Sequence, residues 1–167
     1  MPASAKAAIS PKKLKTVGLP LLHPYKISKG EGSTYFFATD YGLKYSAYFI
    51  EYSATIHKVY SFSFDKEEGE GPHDERVKDS ILSILQDFFV NESNILGYTC
   101  DVSDGRQLAR KILFNRWFDK YNDGRLKKFD FQTDNVYVSL IINKDYFAID
   151  EAVNDISQLI YEVLALK

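Results

Sequence analysis

The chain predicts an α+β domain, a mainly antiparallel sheet with three helices packed on one face and an N-terminal β-meander. Three observations point there. The first third alternates apolar and polar side chains with a period of two between short turns. Three later segments carry apolar residues at helical spacing, with strands grouped between them. A length of 167 residues, 45% hydrophobic and 26% charged, suffices for one well-buried core but not for two comfortable domains.

Residues 1–22 are small, polar and basic, with Lys6, Lys12, Lys13 and Lys15 among them and Pro11 and Pro20 as punctuation. They read as a flexible, solubilising leader, and residues 23–167 as the single folded domain. "PYKIS" and "STYFFATD" read as short strands, and "DYG" (40–42) as a turn. "LKYSAYFIEYS" sets Leu43, Tyr45, Ala47 and Phe49 against Lys44, Ser46, Tyr48 and Ile50. "KVYSFSFD" sets Tyr60, Phe62 and Phe64 against Ser61, Ser63 and Asp65, the pattern of a half-buried antiparallel strand. The acidic loop "KEEGEGPHDE" ends the meander. Glu67, Glu68 and Glu70 lack EF-hand spacing and read as a solvated connection.

A helix is predicted from Asp74 to Asn91, with Val77, Ile81, Ile84, Leu85 and Phe88 as its apolar stripe. "NILGYTCD" reads as a buried strand and residues 104–121 as a second helix. Asp123-Gly124 marks a turn, and "KFDFQ" and "VYVSLIIN" form a hairpin around "TDN". Ile149, Ala152, Val153, Ile156, Leu159, Ile160 and Val163 line a third helix running down to Leu166.

Composition narrows the function classes. Twelve Tyr, twelve Phe and one Trp predict an aromatic core. A net charge of -2 gives no basic excess to neutralise phosphates, so a nucleic-acid partner is not expected. The single cysteine, Cys100, allows neither an intrachain disulfide nor a Cys-based zinc cluster, and it reads as a core residue. No signal-peptide stretch and no membrane-length apolar run is present, so the expected setting is cytoplasmic, away from the membrane.

The stretch "CDVSDGRQLAR" (100–110) concentrates the candidate site residues: Asp101, Asp104, Arg106 and Arg110, with Trp117 further along the helix. Asp104 can cap the helix, and Gln107 completes a capping box. At 100° per residue, Arg106, Arg110, Leu113 and Trp117 fall in one stripe flanked by Phe114 and Tyr121. Leu108 and Ile112 lie on a second apolar side, so this helix is expected to be covered from two directions. Arginines on such a face need partners, and Asp101, Asp104, Glu51 and Asp65 are the candidates. They form either a structural ion-pair network or an anion pocket.

Catalytic patterns are weak, and no catalytic set is named. His23, His57 and His73 read as surface residues rather than bases held by a third group. "KGEGS" lacks phosphate-loop spacing. Asp40, Glu51, Asp65 and Asp101 show no spacing that predicts a two-metal centre. No cofactor and no metal ligand set is implied.

"YTCDVSDGRQLARKILFNRWF", with "YSFSF" upstream and "VYVSLIIN" downstream, resembles a family of small bacterial proteins, domain-of-unknown-function family 6169, over residues 24 to about 160. The resemblance implies a cytoplasmic bacterial setting and no particular activity. The function expected is therefore a non-enzymatic binding or regulatory domain with a protein partner, in a defence, antitoxin or immunity accessory role. A homodimer is compatible with the aromatic β-edge. The alternative is an enzyme or sensor that holds an anionic, phosphorylated small molecule or nucleotide through Arg106 and Arg110.

Overall fold

A computed structural model describes residues 19–52, 55–100, 105, 107–132 and 136–165. Its elements are β1 (Ser28–Lys29), β2 (Thr34–Ala38), β3 (Lys44–Tyr52), β4 (Val59–Glu68), α1 (Glu75–Phe88), β5 (Ile95–Cys100), α2 (Gln107–Tyr121), β6 (Leu126–Gln132), β7 (Tyr137–Asn143) and α3 (Ile149–Ala165). One seven-stranded sheet has the order β1-β2-β3-β4-β5-β7-β6. β1 to β4 form the predicted meander and β6–β7 the predicted hairpin, all antiparallel. β4 and β5 are parallel neighbours, Val59 opposite Ile95. Parallel neighbours cannot be joined by a tight turn, and α1 supplies the crossover. The α+β class is as predicted.

The strand expected at "PYKIS" shrinks to the two residues of β1. The backbone N–H of His23 donates to Asp79 Oδ2 at 3.0 Å, and that of Tyr25 to Ser80 Oγ at 2.9 Å. These donors are spent on α1 rather than on a strand partner. Arg76 completes the clamp: it donates to the carbonyls of His23 and Pro24 and lies 3.8 Å from the Tyr25 ring centroid. Turns fall where glycine was read as punctuation, with φ of 78° at Gly42 and 89° at Gly124.

Two hydrophobic cores lie on opposite faces of the sheet. The first joins Phe37, Ala47, Phe49, Leu96 and Ile141 to Ile81, Ile84 and Phe88 of α1 and to Phe114, Trp117 and Phe118 of α2. The second joins Val59, Ile95, Leu140 and Ile142 to Tyr146 and to Ala152 and Ile156 of α3. The helices therefore cover both faces, not one as predicted. The central strands are apolar at successive positions (Ile95-Leu96, Leu140-Ile141-Ile142), which demands cover on both sides.

Candidate functional site

Asp101, Asp104 and Arg106 lie outside the described residues, so the ion-pair network expected there is not described. Arg110 is half-buried. Its charge acts on the Cys100 thiol, as do those of Lys111 and Lys128. Burial outweighs the three cations and pushes the thiol up from its ordinary value, so Cys100 stays protonated at neutral pH. It is a core residue, as read from the sequence. Lys111 lies 4.2 Å from the Tyr137 ring centroid, and Lys128 bonds Asp130 at 2.6 Å.

The described carboxylates offered as arginine partners, Glu51 and Asp65, are dispersed, as is Asp40. Asp40 accepts from Arg76, Glu51 from Tyr60 Oη and Asp65 from Tyr48 Oη. Among the described residues, Asp40, Glu51 and Asp65 do not gather into a ligand set.

Trp117 has a different setting. It faces a cleft of about 540 Å³ between the C-terminal half of α1 and α2. Phe114 and Phe118 of α2, Leu85 and Phe89 of α1, and Tyr98 of β5 share its wall, and Arg110 is not part of it. Tyr98 and Phe114 approach to 4.8 Å between ring centroids, and Phe114 meets Trp117 edge-on at 5.6 Å. Arg125, Asn122 and Asp87 of the polar rim are satisfied from within. Arg125 Nε donates to Asp123 Oδ2 at 2.6 Å, and Asn122 Nδ2 donates to the Leu126 carbonyl at 2.9 Å. Asp87 accepts from Lys29 at 2.8 Å and from Tyr35 Oη at 3.1 Å, and the Lys29 bond is the main cause of its lowered pKa. For Asp123, burial acts upward but is overcome by the Arg125 bonds, and the carboxyl ends below its ordinary value.

The outer side of α2 corrects a second expectation. Leu108 and Ile112, the second apolar side, are 55% and 43% exposed, and Leu113 at the edge of the Trp117 stripe is 44% exposed. The helix is covered from one direction only, and its second apolar side is bare.

His57 corrects a third. His23 and His73 are exposed as expected, but His57 is buried at 4% exposure. Its Nδ1 lies 2.9 Å from Tyr146 Oη, and its Nε2 faces Asp155 Oδ2 at 3.6 Å. Glu151 completes the group. Sequence reasoning had no signal for this cluster, because residue 57 is nearly a hundred positions from its neighbours.

Residues 73–158, just over half of the chain, match the model of a family of unknown function, DUF6169. The chain belongs to that family. The DUF6169 match begins after β4, so the meander expected to share the resemblance lies outside it, as does His57. Both helical walls of the cleft lie inside it, with Glu151 and Asp155. No curated protein and no solved structure matches the chain. Among the described residues, no helix is long and apolar enough to cross a membrane.

Proposed function

We propose that the domain is a non-enzymatic binding module whose α1–α2 cleft takes an apolar segment of a protein partner. The observation that carries this is the aromatic cleft itself, walled by Trp117, Phe114 and Phe118 of α2 and by Leu85 and Phe89, with Val90 exposed at its edge. An apolar groove between two helices is the usual seat of an amphipathic helix with anchors three and four residues apart. The rim supports a protein segment over a phosphorylated ligand. A phosphate calls for cationic donors converging on it, whereas the cation described in the cleft wall, Arg125, is bonded to Asp123. An antitoxin or immunity accessory role would be exercised by capturing such a segment of the partner.

Trp117 is the one tryptophan of the chain and lines the cleft, so its fluorescence reports occupancy. Titration with a library of amphipathic helical peptides is expected to give saturable blue shifts. Val90→Lys should abolish them at unchanged melting temperature, because Val90 lines the cleft and is 76% exposed. Nucleotides and phosphosugars should give none. A response to a phosphorylated compound that Arg110→Gln removes would replace this proposal with the anion-binding alternative. Silence towards both classes would rule out the cleft as the binding seat.

A further inference from the structure

His57 stands two residues before β4, and the Lys58 carbonyl beside it accepts from the Ile95 N–H at 3.0 Å. The imidazole is thus carried on fixed backbone at the edge of the second core. Tyr146, in the turn after β7, meets the ring edge-on and holds Nδ1 through its hydroxyl. That leaves Nε2, which is buried and has no hydrogen-bond partner among the described residues. It points at α3, where Glu151 and Asp155 stand four residues apart. Carboxylates at that spacing share one side of a helix and repel each other.

We propose that His57, Glu151 and Asp155 bind a divalent transition-metal ion of the zinc class, beyond any role of the cleft. The distances favour an ion over a direct hydrogen bond. A hydrogen bond from Nε2 to Asp155 would close to about 2.9 Å, but the separation is 3.6 Å. Two ligands of a tetrahedral zinc, each about 2.0–2.1 Å from the metal, stand roughly 3.4 Å apart. The three ligand atoms all lie within 4.8 Å of one another. Glu151 is exposed and Asp155 half-buried, so both side chains have room to close the remaining gap.

The ligand set selects the ion. Imidazole nitrogen with two carboxylates suits zinc and its first-row neighbours, while calcium and magnesium prefer oxygen alone. Tyr146 plays the part of the outer partner that fixes a metal-binding imidazole. A tetrahedral ion would have a fourth position to fill, and water suits it beside the exposed Glu151. The bound ion ties the start of β4 to the first turns of α3, closing one end of the second core.

The test is calorimetric titration of Zn²⁺ into the full chain, free of any histidine tag and stripped with chelator, beside its melting curve. The expected result is a single saturable equivalent and a higher melting temperature, since binding to the folded state alone stabilises it. Loss of an outer partner typically weakens metal affinity by about 10–100-fold. Tyr146→Phe should fall in that range, and Asp155→Asn and Glu151→Gln should weaken binding at least as much. Both carboxylates are at least partly exposed, so their variants should fold even if His57→Ala does not. Glu162→Gln, exposed further along α3, should bind as wild type. Absence of saturable binding, or binding indifferent to Asp155→Asn and Glu151→Gln, would overturn the site.

Discussion

Tyr98 sits on β5 beneath α2, and its hydroxyl is buried without a hydrogen bond of normal geometry among the described residues. The nearby Ser139 hydroxyl is committed to Asp130. Burial is the main cause that pushes Tyr98 up to about 12 from an ordinary 10.0. Because the folded value is raised, the neutral phenol is the form the fold favours. The associated stability is present below pH 10 and is lost as pH rises towards 12. Tyr98→Phe removes an unmet polar group while keeping the ring, so stability at neutral pH should be unchanged or raised by up to about 1 kcal/mol. Urea unfolding at pH 7 measures this, and the alkaline fall in stability should become shallower in the variant. A clear destabilisation would mean that the hydroxyl has a partner. At this scale the sequence was readable where a residue's type decides its place, as with Cys100 in the core. It was not readable for His57, because a buried histidine follows no periodic pattern and its partners come from a distant turn and helix.

Elements were legible in proportion to how local their causes are. α1 carries its stripe and its cap in one stretch. Asp74 Oδ1 accepts from the Arg76 N–H at 2.9 Å, and Oδ2 accepts from Tyr25 Oη at 2.6 Å. Asp74→Ala should cost about 0.5–2 kcal/mol in urea unfolding, and Asp74→Ser should recover most of it by restoring the cap. If serine recovers nothing, the Tyr25 bond rather than the cap is what Asp74 supplies. β1 was overread because the backbone donors of His23 and Tyr25 go to α1 side chains, a choice made by tertiary packing. α2 was misread for a related reason. Its composition is apolar on two sides, and nothing in the helix itself says that only the side bearing Phe114, Trp117 and Phe118 meets the sheet.

For the whole molecule, the one-faced sheet expected from the segregated hairpins becomes a sheet with a core on each side. The signal was present in the successive apolar positions of β5 and β7, which a period-two reading of the meander does not weigh. Such a division has an energetic consequence. Ile84 belongs to the first core and Ile156 to the second, and they are 1% and 4% exposed. Ile84→Val and Ile156→Val should each cost about 0.5–1.5 kcal/mol. With the sheet between them and no shared core, the double variant should equal their sum within about 0.5 kcal/mol. Phe49 and Phe88 are the contrasting pair, stacked at 4.1 Å within the first core. Phe49→Leu and Phe88→Leu share a contact, so their double variant should depart from additivity by about 0.5–3 kcal/mol. Urea unfolding of the six variants tests the division. Additivity across the sheet with coupling inside one face means that each core responds to its own helices. Coupling of Ile84 to Ile156 as strong as that of Phe49 to Phe88 would mean that the strands transmit repacking from face to face, and that the two cores act as one.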